Sequence, residues 1–94
     1  MKEYKDHSNR LNIDLPTGKN QYADLETYEE KIHTEFNTKT IQKVDDLDLF
    51  YWDFDFGENT LVLHLEHFMG ISIHMNGKQN DELLRTIYQK ITNT

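Results

Sequence analysis

The fold is decided by one stretch, residues 49–75, which is LFYWDFDFGENTLVLHLEHFMGISIHM. Its segments 49–56, 61–66 and 71–75 alternate apolar with mostly polar side chains. A period of two marks a β-strand that buries one face, because successive side chains point to opposite sides of the sheet. Short turns around Gly57 and Gly70 separate the segments. The stretch therefore predicts three consecutive antiparallel strands.

The alternation predicts which side chains share a face. The inward set is Phe50, Trp52, Phe54, Phe56, Leu61, Leu63, Leu65, Ile71, Ile73 and Met75. The outward set includes Tyr51, Asp53, Asp55, Val62, His64, Glu66, Ser72, His74 and Asn76. Pairing Phe54 with Leu63 would set Asp53 opposite His64, and pairing Leu65 with Ile71 would set Val62 opposite His74. A slip of two residues would change these partners but keep the faces.

The flanking segments supply two helices and two further strands. Residues 11–15 alternate as a short strand, and residues 39–44 predict a strand at a sheet edge. Apolar residues recur every three or four positions over 22–36, which predicts an amphipathic helix capped by Asn20 or Asp24. A second helix runs from an N-cap at Asn80 to about Ile91.

These elements predict an α+β fold in the order β-α-β-β-β-β-α. It is a two-layer sandwich, in which a mainly antiparallel β-meander sheet packs its aromatic face on two helices and turns its other face to water. Residues 1–9 have no apolar period and predict a frayed polar N-terminus. Residues 10–94 form a single α+β domain.

Composition excludes several classes of protein. The chain has no cysteine, which excludes a disulfide framework and cysteine-based zinc sites. No apolar run approaches the roughly 20 residues of a membrane-spanning helix. The polar N-terminus shows no signal peptide, so a cytoplasmic location is expected.

The acidic excess is confined to one part of the chain. The sequence holds 17 acidic and 10 basic residues, for a net charge of −7. Residues Val44–Gly77 contain seven of these acids and neither Lys nor Arg. Nucleic acid and anionic membranes are negatively charged and bind basic residues, so neither is expected as a partner. The acidic excess favours a basic protein or a cation as the partner.

The outward face offers candidate metal ligands. Carboxylate and imidazole groups suit zinc, iron or manganese. The set is Asp53, Asp55, His64, Glu66 and His74. A flat, exposed sheet is a poor cage, and strand alternation alone produces this spacing. No metal and no other cofactor is therefore predicted, and a metal-binding or metal-sensing domain is kept as an alternative.

Asp53 and His64 also allow an acid–base pair. The alternative is a cross-strand ion pair or hydrogen bond with a structural role. The sequence has no nucleophile motif, phosphate-binding loop or nucleotide fingerprint. The chain is therefore not expected to be an enzyme.

Protein recognition is the leading hypothesis. Carboxylates around an aromatic or apolar anchor suit a basic partner, because charge steers the encounter and the anchor supplies binding energy. Tyr51, Val62 and the pair Phe68 and Met69 are the candidate anchors. The predicted partner-binding patch is Tyr51, Asp53, Asp55, His64, Glu66 and His74, extended by Asp45, Asp46, Asp48 and Glu58. The alternative is an acidic face that only keeps the protein soluble.

In size, charge and layout the chain resembles two classes of small acidic protein. One is the bacterial immunity proteins that neutralise basic toxins, and the other is the phage inhibitors that imitate nucleic acid. The sequence therefore predicts a non-enzymatic binding module, an immunity or antitoxin-type inhibitor of a basic protein, with the phage-type inhibitor as an alternative. A structural subunit that pairs through residues 39–44 is a third alternative, and the chain is expected to be a monomer or a weak homodimer.

Overall fold

The computed structural model describes residues 1–67 and 69–93. The strands are β1 (Lys2–Lys5), β2 (Leu11–Leu15), β3 (Thr40–Asp45), β4 (Leu49–Asp55), β5 (Asn59–Glu66) and β6 (Gly70–Gly77). The helices are α1 (Gln21–Phe36) and α2 (Asp81–Thr92). None of the helices in these residues is long and apolar enough to cross a membrane. The expectation that Phe68 is an exposed anchor falls outside the described residues.

The strands form one antiparallel sheet in the order β1-β2-β6-β5-β4-β3. Both helices pack on the same face of this sheet, where Leu25 and Ile32 of α1 and Ile87 of α2 join the core. The other face carries no helix in the part of the chain that the structure describes. The predicted α+β sandwich, with its meander β3–β6 and two helices, is confirmed.

The alternating aromatic residues form the centre of the core. Trp52 and Phe54 are fully buried, as are Leu61 and Leu63 on the next strand. Burial of each large apolar side chain contributes roughly 1.5–3 kcal/mol, so this face supplies much of the driving force for folding. Phe50 is only partly buried and packs at the margin of the core.

Asparagine side chains define the limits of the helices. The Asn20 side chain accepts a hydrogen bond from the Ala23 amide, and the Asn80 side chain accepts one from the Leu83 amide. Each satisfies an amide that has no partner within the first helical turn. Asn37 ends α1 in the left-handed conformation, with φ of 49°. Asparagine adopts this conformation more readily than most residues, which explains why the helix stops there.

The prediction for residues 1–9 was wrong, because Lys2–Lys5 form an additional strand at the edge of the sheet. This strand pairs with β2 through its backbone, and two of its side chains form ion pairs with α2. Arg85 of α2 donates to the Glu3 carboxylate at 2.8 Å, and Lys5 donates to Asp81 at 3.2 Å. Such a strand buries little apolar surface, so it leaves no apolar period in the sequence.

The predicted register between β4 and β5 was wrong by two residues. Phe54 pairs with Leu61, and Trp52 pairs with Leu63. The turn contains only two residues, Gly57 and Glu58, because the Phe56 amide donates to the Asn59 carbonyl across it. Both faces are unchanged, since a slip of two preserves parity. The predicted register between β5 and β6 is confirmed, and it sets Val62 opposite His74.

Candidate functional site

The open face of the sheet is a trough with a buried floor. Val62 is 2% exposed and His74 is 7% exposed, although both side chains point away from the helices. Asn12 and Ser72 on the same face are also buried. The expectation that the middle of this face is exposed to solvent was therefore wrong, because the longer side chains around it cover the residues of the floor.

Aromatic rings form the sides of the trough. Tyr51 on β4 lies opposite His64 on β5, and their rings stack with centroids 4.3 Å apart and planes 10° from parallel. Tyr4 on β1 stands at the other side. The cleft between them has a volume of about 430 Å³, and it adjoins a hollow of about 310 Å³ that shares Tyr4 and His64. Both volumes fall within the range of pockets that bind small ligands, and the smaller one is near its lower limit.

The loop between β1 and β2 closes one end of the trough. The Asp6 carboxylate accepts hydrogen bonds from the Ser8 and Arg10 amides, from Arg10 Nε and from Asn12 Nδ2, at 2.9–3.0 Å. Partial burial opposes ionisation of Asp6, but these donors outweigh it and hold the pKa of that carboxyl below its usual range. Arg10 also donates to the side chain of Asn76 on β6. The carboxylate thus fixes Arg10 at the rim and neutralises its charge.

Two imidazoles in the trough are neutral near pH 7. Burial, and then the nearby Arg10 and His64, lower the pKa of His74 to about 4. Burial also lowers the pKa of His64, against the opposing effect of Glu66. His74 Nδ1 and His64 Nε2 are buried without a hydrogen-bond partner among the described residues. Buried polar atoms usually have partners, so these two nitrogens mark the trough as a site with unused hydrogen-bonding capacity.

Two carboxylates of the trough have no counter-ion in the described part of the chain. The acids Asp6 and Asp14 form ion pairs with Arg10 and Lys2, whereas Asp53 and Glu66 form none. Burial raises the pKa of Asp53, as expected for a carboxylate that has lost water without gaining a donor. Because the imidazoles are neutral and the other acids are paired, the trough has a net negative charge.

The structure brings together part of the predicted patch. Asp53, Tyr51, His64 and His74 line the cleft, and Glu66 lies in the adjoining hollow. Val62, predicted as an exposed anchor, is instead part of the buried floor.

The other predicted acids do not line the trough. Asp46 and Asp48 are exposed near one end of β4, and Asp55 and Glu58 are exposed at the other end. Seven residues of strand separate these groups by roughly 20 Å. Glu58 is ion-paired with Lys78 at 3.2 Å. These four acids therefore form two separate groups and not one continuous patch.

Asp45 lies on the helix side of the sheet, which corrects its predicted place on the outward face. It pairs with Phe50 across the β3–β4 ladder and accepts a hydrogen bond from Trp52 Nε1 at 2.6 Å. A buried indole N–H needs an acceptor, and Asp45 supplies it at the edge of the core. The role of Asp45 that the structure explains is the support of Trp52.

Five residues of the site were missed from the sequence: Tyr4, Asp6, Arg10, Asn12 and Asn76. The sequence contained a signal for the hairpin that positions the first four of these residues. Asp6, Ser8 and Asn9 are residues typical of turns, and they lie between two segments that become β1 and β2. Asn9 has φ of 61°, as such a turn requires. A hairpin prediction would have brought Tyr4 next to Asn12.

No group of three or more His, Asp or Glu side chains in residues 1–67 and 69–93 is arranged to hold a metal ion. Another hollow, of about 440 Å³, lies where the start of α1 meets Leu47 and Phe50. None of the unpartnered buried polar atoms of the described residues belongs to its lining. The trough is therefore the stronger candidate site.

Comparison with known protein families, with curated proteins and with solved structures gives no significant match.

Proposed function

We propose that the chain is a non-enzymatic binding module that recognises and inhibits a basic protein, in the manner of an immunity protein or antitoxin. The observation that carries the proposal is the pair of uncompensated carboxylates, Asp53 and Glu66, in a trough with aromatic sides. A lysine or arginine side chain of the partner would provide the counter-ion that Asp53 lacks. The Tyr51 ring would supply apolar and cation–π contact to the same side chain.

The remaining groups of the trough favour specificity. The Tyr51 ring is held by its stack on His64, and Arg10 is held in place by Asp6. Groups fixed before binding lose little entropy when the partner arrives. The net charge of −7 would steer a basic partner toward the chain, and this effect weakens as salt is added.

The proposal is tested by isosteric neutralisation of the two carboxylates. The chain carrying Asp53→Asn and Glu66→Gln is compared with the wild type and with a control carrying Glu30→Gln and Glu35→Gln. The control makes the same change in net charge at exposed positions of α1, on the other side of the molecule. All three proteins are immobilised and exposed to extract of the source organism.

The expected result is a basic protein that is retained by the wild type and by the control. Its affinity for the trough variant should fall at least about 100-fold, because two desolvated charge pairs are lost. The purified partner should lose its own activity when the wild-type chain is added in equimolar amount. The proposal fails if no basic protein is retained, if both variants bind equally, or if the partner stays active in the complex.

A further inference from the structure

The two edges of the sheet differ in how they meet solvent. β1 has four residues, two of them lysines, and ion pairs hold it to α2 and β2. Short, charged edge strands resist pairing with other chains. β3 has six residues, and no strand among the described residues lies on its outer side.

Three apolar side chains are exposed along the β3 edge. Ile41 is 57% exposed, Val44 is 45% exposed, and Leu47, in the turn that follows, is 93% exposed. Lys43, which could protect the edge, is folded back over the helix side of the sheet. Its Nζ lies 3.1 Å from Glu29 and 3.9 Å from the centre of the Trp52 ring. The edge is therefore open and partly apolar.

The backbone groups that face solvent can be assigned from the turn. The Asp46 amide donates to the Leu49 carbonyl of β4. Backbone groups alternate in direction along a strand, so the N–H and C=O groups of Val44 and Gln42 also point toward β4. The N–H and C=O groups of Lys43 and Asp45 point away from β4, toward solvent. The bulge between Thr40 and Gln42 affects only the start of the strand.

We propose that β3 pairs antiparallel with β3 of a second copy of this chain, around a two-fold axis at Val44. In this register Lys43 of each copy lies opposite Asp45 of the other, and the two residues exchange backbone hydrogen bonds. Gln42 lies opposite Asp46. A two-fold axis perpendicular to the sheet keeps both helical layers on one side.

Side-chain complementarity supports this register. Val44 meets Val44 of the second copy, so the exposed apolar side chain at the centre of the edge is covered in both copies. Lysine lies opposite a carboxylate in both halves, whereas a shift of one residue to centre the axis on Lys43 would set two lysines face to face. A single pair of strands buries a small area, so the dimer is weak and depends on concentration.

The test begins with molar mass in solution. Sedimentation of the wild type from micromolar to millimolar concentration should show a rise from 11.3 kDa toward twice that mass. Val44→Lys should abolish the rise, because it sets two like charges at the axis. Met69→Lys is the matched control, since Met69 is an exposed apolar residue between β5 and β6, with β4 separating these strands from β3, and it should dimerise like the wild type.

The register is tested separately by cross-linking. The chain has no cysteine, so Val44→Cys introduces a single thiol. Residues in a non-hydrogen-bonded antiparallel pair have Cα atoms about 4.5 Å apart, which a disulfide can span. Under mild oxidation Val44→Cys should form a covalent dimer at least about ten-fold faster than Met69→Cys. A mass that stays at 11.3 kDa throughout, or equal rates for the two thiols, would overturn the proposal.

Discussion

Acid should destabilise the protein through His74. This imidazole is 7% exposed, and its pKa in the folded chain is about 4, against the usual value of 6.5. Between these two values the unfolded chain binds a proton at this site and the folded chain does not. The free energy of unfolding therefore decreases as the pH falls from 6.5 toward 4, and the full contribution is present only above 6.5.

The magnitude follows from the two pKa values. Each unit of difference corresponds to about 1.4 kcal/mol, so His74 accounts for a loss of about 2 kcal/mol between about pH 7 and about pH 5. His64 adds a loss of the same sign, because burial lowers its pKa as well. Asp53 changes the free energy of unfolding in the opposite direction, since its raised pKa favours the folded state as the pH falls. Asp6 weakens the fold only at lower pH, below the usual pKa of 3.8.

The assay is urea denaturation at both pH values, followed by the fluorescence of the single, fully buried Trp52. The comparison is with His74→Leu, which cannot take up a proton at this position, whereas His64 and Asp53 are present in both proteins. The wild type should lose about 2 kcal/mol more than the variant over this pH range. His7→Gln, which removes an exposed histidine, should behave as the wild type. Equal losses in the wild type and His74→Leu would refute this account of the trough.

Two further substitutions test the core and the loop that closes the trough. Trp52→Ala should lower the free energy of unfolding by roughly 3–5 kcal/mol, because it leaves a cavity at the centre of the core; urea denaturation followed by circular dichroism measures this, and a loss below about 1 kcal/mol would contradict it. Asp6→Ala should cost about 2 kcal/mol and speed amide exchange in residues 6–10, because several donors lose their acceptor. Asp14→Ala removes only one ion pair with exposed Lys2, at 3.7 Å, and should cost less than about 1 kcal/mol. Similar losses in these two variants would show that the Asp6 network is not what orders the loop.

Local sequence determined most of the fold. The alternation over Phe50–Phe56 identified the buried face, since the period of two allows only one side of a strand to be apolar. Asn80 was identified as a helix cap, and Asn20 as one of two candidates beside Asp24, because such side chains accept hydrogen bonds from amides that have no partner in the first turn. These features depend on neighbours within a few residues, and a sequence displays such neighbours directly.

The missed features depend on backbone pairing and on ion pairs whose partners a local pattern does not show. β1 is ordered by Arg85 and Asp81 of α2, more than 70 positions away in the chain. The position of Asp45 follows from a ladder with β4 whose register is set by the turn at Asp46–Leu49. Neither contact leaves a local pattern, because edge strands and ladders gain their stability from backbone pairing and scattered ion pairs.

The sequence by itself determined that Tyr51, Asp53, His64 and His74 share a face, because parity along paired strands survives any slip of two residues. Only the tertiary structure decided that this face is a shielded trough. The hairpin of residues 2–15 extends the sheet and places Tyr4, Asp6 and Arg10 over the floor, so Val62 and His74 lose contact with water. Burial of this kind depends on which side chains surround a position in space, and that arrangement exists only once the chain has folded.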